Sequence, residues 1–92
     1  MLLRMETYRG DPPGTTRTFK IGDIIYAQSR AVFRVARFED NLMIISRMSH
    51  GNPALDYSIT LAAGSKFTLG ARIFEIQSWN KNQGAVTLTV VQ

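Results

Sequence analysis

Apolar and polar residues alternate with a period of two along much of this chain, the pattern expected of β-strands that bury one face. The clearest run covers residues 55–61, and its apolar members are Leu55, Tyr57, Ile59 and Leu61. Residues 85–91 form a second run, with Val86, Leu88 and Val90 on one side. Both runs predict strands that turn one face to a core, and the second is expected to pair with residues 73–79.

Residues 31–38 form a third alternating run, which places Phe33 and Val35 on one face and Arg34 on the other. The turn-forming sequence Glu39-Asp40-Asn41 follows, and then the short apolar run 42–45. A run this short fits a strand better than a helix. The two runs therefore predict an antiparallel β-hairpin.

Three further strands are predicted, at residues 3–8, 16–21 and 73–77. Clusters of Gly, Pro, Asn and Asp separate the runs, and the only candidate for a helical turn is the segment 62–67. Phe67-Thr68-Leu69-Gly70 repeats the pattern of Phe19-Lys20-Ile21-Gly22, but two occurrences do not establish a repeat architecture. The sequence predicts an all-β fold: a small antiparallel β-sandwich of about seven strands, with a small β-barrel as the alternative.

Composition limits the size and chemistry of this fold. The 92 residues suffice for a single β domain, residues 1–92, and the absence of cysteine excludes disulfides and thiolate-ligated metals. Eleven Lys and Arg against seven Asp and Glu give a net charge of +4, and most of the cations are arginines. No apolar run is long enough to span a membrane, and Arg4 and Glu6 interrupt the start too early for a signal peptide. We expect a soluble protein made inside a cell, without a membrane partner.

Several short motifs resemble a family of Ig-like phage domains, which occur at the N-terminus of upper baseplate proteins of tailed phages and as short prophage proteins. The matching segments, in order, are Tyr8-Arg9-Gly10-Asp11, Thr18-Phe19, Ala31-Val32-Phe33-Arg34-Val35, Tyr57-Ile59-Leu61, Phe67-Thr68-Leu69-Gly70, Phe74-Glu75-Ile76-Gln77 and Gly84-Ala85-Val86-Thr87. Pro12-Pro13-Gly14 is an insertion relative to the family pattern. The glycine expected after the last threonine of that pattern is absent.

The resemblance implies an Ig-like β-sandwich that serves as a non-enzymatic structural module of a phage or prophage particle. Its partners would be other virion structural proteins, and its location the virion, assembled in the host cytoplasm. A small domain without disulfides also gains stability by burying a face in an oligomer, so we expect a homo-oligomer. The resemblance brings no catalytic residues and no cofactor.

The residues themselves offer little for catalysis. His50 is the only histidine, and no motif positions a nucleophile beside it. The carboxylates are scattered, so their spacing assembles neither an acid–base pair nor a metal cage. Arg9-Gly10-Asp11 spells an integrin-binding tripeptide, but glycine and aspartate there fit an ordinary turn. We predict no enzyme activity, no metal and no cofactor.

The candidate interface consists of four arginines and one aromatic residue: Arg30, Arg34, Arg37, Arg47 and Trp79. Arg30 and Arg34 should share a strand face, with Arg47 across the hairpin from them. This strip allows three interpretations: a solvated outer face, a subunit contact, or a phosphate-binding surface. The last makes a small basic nucleic-acid-binding β-barrel the alternative function. Trp79, at a strand end, is either a lid on the core or an interface anchor.

Overall fold

The computed structural model describes residues 11–27, 32–48 and 56–92, and this part of the chain contains eight strands and no helix. The strands are β1 (Thr16–Lys20), β2 (Ile24–Tyr26), β3 (Val32–Glu39), β4 (Leu42–Arg47), β5 (Asp56–Thr60), β6 (Lys66–Leu69), β7 (Arg72–Asn80) and β8 (Ala85–Val90). The all-β prediction is confirmed. The strand predicted at residues 3–8 lies outside the described residues.

The strands form two antiparallel four-stranded sheets, which confirms the predicted sandwich. Sheet A has the order β1-β8-β7-β6, and sheet B has the order β2-β3-β4-β5. The chain changes sheet between β1 and β2 and again between β5 and β6. Sheet B is an up-and-down meander of β2 to β5, whereas in sheet A the meander of β6, β7 and β8 is extended by β1, which pairs with β8.

The core lies between the inner faces of the two sheets and follows the predicted alternation in most strands. Val86, Leu88 and Val90 are 0%, 1% and 5% exposed, and β8 pairs with β7 as expected. β8 also pairs with β1, so this strand lies inside sheet A. In the run at 55–61, Leu55 lies outside the described residues, and Tyr57 is more exposed than predicted. β5 is an edge strand that pairs only with β4 among the described strands.

Two short strands, β2 and β6, were not predicted from the sequence, and both follow the same kind of turn. In each turn the third residue is a glycine with positive φ, 93° at Gly22 and 88° at Gly64, a conformation that L side chains rarely adopt. Each glycine N–H donates to a neighbouring strand, at 2.8 Å to the carbonyl of Val35 and at 2.7 Å to that of Ile76. Gly22 is therefore equivalent to Gly64 and not to Gly70, whose surrounding sequence resembles that of Gly22. The candidate helical turn at 62–67 is instead a β-turn followed by β6.

A β-bulge interrupts one central strand in each sheet, between Val35 and Arg37 in β3 and between Ile76 and Ser78 in β7. The extra residue reverses the alternation, so the next aromatic side chain again faces inward. These side chains are Phe38 and Trp79, whose ring centroids lie 4.5 Å apart. The two bulges therefore bring one ring from each sheet into contact at the margin of the core.

The turns, bulges and strand pairs give the fold an approximate twofold repeat in its topology. Strands β2, β3, β4 and β5 of sheet B correspond in order to β6, β7, β8 and β1 of sheet A. The repeat leaves two places where edge strands of the two sheets follow each other across a turn. We call them the β1–β2 seam and the β5–β6 seam.

Candidate functional site

A cavity of about 410 Å³ opens at the β1–β2 seam. Apolar core side chains form its floor: Phe19, Ile25, Phe74, Leu88 and Val90. Polar and amphipathic side chains form its rim: Asp11, Thr15, Arg17 and Tyr26. An apolar floor with a few polar groups at its mouth is the usual composition of a binding pocket, and the volume falls in the usual range.

The register of β1 explains how an arginine comes to line an apolar cavity. Arg17 lies opposite Leu88 and Phe19 lies opposite Val86, so both β1 side chains are on the inner face of sheet A. Phe19 is covered by the core, whereas the Arg17 side chain is 57% exposed. The difference arises because β1 is an edge strand, where the inner face of the sheet meets solvent.

Arg17 forms a two-point ion pair with Asp11. Its Nε donates to Oδ2 at 2.6 Å and its Nη2 donates to Oδ1 at 2.7 Å. This hydrogen bonding lowers the pKa of the Asp11 carboxyl and raises the pKa of the Arg17 guanidinium. A guanidinium has five N–H donors, of which these contacts use two. Sequence reasoning missed this pair, because Asp11 and Arg17 belong to different elements and share no periodic pattern.

Arg72 is the one charged side chain buried in the described part of the chain, at 1% exposure. Its Nε donates to the main-chain oxygen of Gln92 at a long 3.4 Å, and its buried Nη1 has no hydrogen-bond partner. Its positive charge also contributes to the lowered pKa of Asp11. Alternation in β7 could have revealed its burial, since Arg72, Phe74 and Ile76 share the inward face.

The β5–β6 seam has a different side chain at the position equivalent to Arg17. Tyr57 lies opposite Ile45 of β4, as Arg17 lies opposite Leu88 of β8. The Tyr57 ring contacts Phe33 edge-on, with centroids 5.8 Å apart. Phe33 corresponds to Phe74, which lines the cavity at the other seam. At the β5–β6 seam the Tyr57 ring thus packs against Phe33. At the β1–β2 seam Arg17 instead extends to Asp11.

Two of the predicted interface arginines lie on the outer face of sheet B. Arg34 lies opposite Ser46 and is exposed, and Arg37 pairs with Glu39 on the same strand. Asp56 lies on the same outer face, where the Ser46 hydroxyl donates to its carboxylate at 2.8 Å. In the described part of this face, two arginines therefore lie beside two carboxylates, and the positive charge there is balanced.

The other predicted interface residues lie elsewhere. Arg47 lies opposite Phe33, whereas Ser46 lies opposite Arg34. Arg47 is therefore on the inner side of the strand, and the prediction that it shares the outer face with Arg34 is wrong. Trp79 packs against the core through Phe38, and its buried Nε1 has no hydrogen-bond partner. Arg30 lies outside the described residues. The described members of the set do not form one patch.

The described residues contain no group of three His, Cys, Asp or Glu side chains that could hold a metal ion. His50 lies outside them. They also contain no helix long and apolar enough to cross a membrane. Of the tripeptide Arg9-Gly10-Asp11 only Asp11 is described, and its carboxylate is bound by Arg17.

Comparison of this chain with protein families, curated proteins and solved structures finds no match.

Proposed function

We propose that this chain is a non-enzymatic module that binds an extended segment of a partner protein at the β1–β2 seam. The observation that carries the proposal is the position of the cavity, whose apolar floor lies between two strand edges. Among the described strands β1 pairs only with β8 and β2 pairs only with β3. An extended segment can add to such an edge and place alternate side chains in an adjoining pocket.

The resemblance of residues 8–11 and the later motifs to Ig-like phage domains suggests the class of partner. On that ground the partner is a virion structural protein, and this chain is a component of a phage or prophage particle assembled in the host cytoplasm. This part of the proposal rests on the sequence motifs alone.

The distribution of charge favours a protein partner over a nucleic acid. Phosphate binding requires a concentration of unpaired Lys and Arg on one surface. On the outer face of sheet B, Glu39 is bound to Arg37, and Asp56 lies nearby. The arginine strip that suggested nucleic-acid binding is thus balanced by carboxylates where it is described.

Selection from a combinatorial library of peptides of about ten residues tests the proposal. The selected peptides should bind the native chain and shift NMR signals of β1 and β2. They should fail to bind the Arg17→Tyr variant, in which a ring fills the mouth of the cavity. Thr18→Tyr is the matched control, because Thr18 lies on the same strand but faces the outside of sheet A. Peptides that bind both variants equally, or that shift signals only at other surfaces, would overturn the proposal.

The expected homo-oligomer is tested separately, by light scattering on a sizing column at high micromolar concentration. The expected mass is two or more times that of the 10.3 kDa chain. A monomer would overturn self-assembly and leave binding of a different partner in place.

A further inference from the structure

One strand pair joins distant parts of the chain. Among the described strands, every other pair consists of strands that follow each other in sequence, whereas β1 pairs with β8. Thr16 and Thr89, which lie opposite each other in this pair, are 73 residues apart. β1 therefore completes a sheet whose other three strands come from the far end of the chain. The same place beside β8 can accept β1 of another copy.

β1 is held in its place largely by groups that a second copy would supply equally well. As an edge strand it pairs only with β8 among the described strands, and Phe19 is its buried side chain. Its outer face adds two hydroxyl contacts, Thr16 to Thr89 at 2.8 Å and Thr18 to Thr87 at 2.9 Å. On its other side the cavity of about 410 Å³ separates it from β2. Exchange of β1 between two copies reproduces every one of these contacts to β8.

The turn between β1 and β2 has the properties of a hinge. Sequence alternation continues the strand to Ile21, but β1 ends at Lys20 and Ile21 lies in the turn. Ile21 is 60% exposed, the highest value for a large apolar side chain in the described part of the chain. The turn depends on the positive φ of Gly22 and on the Asp23 carboxylate, which accepts the Lys20 N–H at 2.8 Å. An extended hinge needs neither and allows Ile21 to leave the solvent.

We propose that two copies of this chain exchange β1, so that β1 of each copy pairs with β8 of the other. Residues 21–23 then straighten, and β1 and β2 form one continuous strand that crosses from one copy to the next. The two Ile21 side chains meet at this crossing and are removed from water, which is the contact that the exchanged dimer gains over the closed monomer. This proposal supplies a route to the expected homo-oligomer and does not depend on peptide binding at the β1–β2 seam.

Introduced cysteines detect the exchange directly, because the chain has no cysteine of its own. One chain carries Thr18→Cys and a second chain carries Thr87→Cys, two positions that lie opposite each other in the β1–β8 pair. The two chains are unfolded together in urea, refolded at high micromolar concentration and oxidised. A disulfide between the two different chains is the expected product, detected by mass spectrometry. Thr18→Cys mixed with Ser58→Cys, an exposed position on β5, is the control and should yield at least ten-fold less.

Variants of the hinge shift the monomer–dimer equilibrium in opposite directions. Gly22→Val strains the closed turn without a steric clash, because a side chain there meets no atom within 4 Å. Exchange relieves this strain in two turns at once, so the Kd of the dimer should fall about thirty-fold. Gly64→Val is the matched control, with the same open surroundings and a φ of 88°, and should leave the Kd unchanged. Ile21→Ser should raise the Kd about ten-fold, since it removes the apolar contact at the crossing.

Light scattering over a concentration series measures these Kd values. A mixed disulfide no more abundant than in the control would overturn strand exchange, as would a native chain that stays monomeric at high micromolar concentration. Equal effects of Gly22→Val and Gly64→Val on the Kd would show that the copies associate through another surface. Each of these results leaves the peptide selection unaffected, so failure of the exchange and failure of the proposed function are distinguishable.

Discussion

The two seams of the sandwich have the same backbone plan but different side chains. At the β5–β6 seam, Tyr57 contacts Phe33, and the neighbouring Phe67 and Phe74 stack with centroids 5.6 Å apart. At the β1–β2 seam, Arg17 occupies the position equivalent to Tyr57. Its side chain pairs with Asp11 beside a cavity of about 410 Å³. Equivalent positions thus carry different side chains at the two seams: Arg17 and Tyr57, Phe19 and Ile59, and Ile25 and Phe67.

The comparison shows that the two copies of a repeated fold can carry different side chains at equivalent edge positions. Both copies share the glycine turn, the bulge and the aromatic residue after the bulge. These shared features hold the backbone, so the side chain at the edge position is free to vary. A ring there contributes to the core, whereas a charged group leaves apolar surface available to a partner.

The largest expected difference between the seams is in the free energy of unfolding lost when Phe19 or its equivalent, Ile59, is replaced by alanine. Phe19 is buried, whereas Ile59 is half-buried on the edge strand β5. Phe19→Ala should lower the free energy of unfolding by about 3–4 kcal/mol, and Ile59→Ala by about 1–2 kcal/mol. Urea denaturation measures both. Equal losses would mean that the two edge strands are packed equally well.

Exchange of the edge residue at the packed seam should have an intermediate effect. Tyr57→Arg removes the contact with Phe33 and should cost about 1–2 kcal/mol in the free energy of unfolding. Ser58→Arg, on the exposed side of the same strand, should change it by less than about 0.5 kcal/mol. If thermal melts of the two variants coincide, Tyr57 does not stabilise this seam.

The reverse exchange should stabilise the protein. Arg17→Tyr gives up an exposed ion pair, which contributes at most about 1 kcal/mol, and fills part of the cavity with a ring. The expected gain in the free energy of unfolding is about 0.5–1 kcal/mol, measured in urea. A loss of stability would show that the space beside Phe74 does not accept the ring that Phe33 accepts.

The smallest effect is the pH dependence of the Asp11–Arg17 pair. The folded pKa of Asp11 is lowered, so its contribution to stability is present above about pH 4 and is lost as the pH falls through the lowered folded value. The difference in free energy of unfolding between the native chain and Asp11→Asn should be below about 1 kcal/mol at neutral pH. It should shrink on acidification to about pH 2. A difference that stays constant would contradict the ion pair.

Sequence periodicity predicted the long strands well, because each buries alternate residues over a sufficient length. It failed for β2 and β6, which are three and four residues long and depend on the glycine turns before them. It also failed to anticipate the bulges, since an extra residue at Ala36 or Gln77 carries no local signal of its own. The glycine turns and the bulges set the register between strands, and this register determines which side chains lie opposite each other.

The candidate site was less accessible to sequence reasoning than the fold. Its rim joins Asp11 to Arg17 across a turn, and its floor combines side chains of both sheets. The arginines that looked most informative in the sequence, Arg34 and Arg37, lie on an outer face beside carboxylates. Arg72, which sequence analysis counted only as a charge, is the buried one.

The most direct test of the account is a residue-by-residue NMR map of binding by a library-selected peptide to the native chain. Signals of Arg17, Phe19 and Ile25 at the β1–β2 seam should shift with saturation. Signals of their equivalents at the β5–β6 seam, Tyr57, Ile59 and Phe67, should not. Shifts centred on the β5–β6 seam, or equal at both seams, would contradict the assignment of binding to one edge and packing to the other.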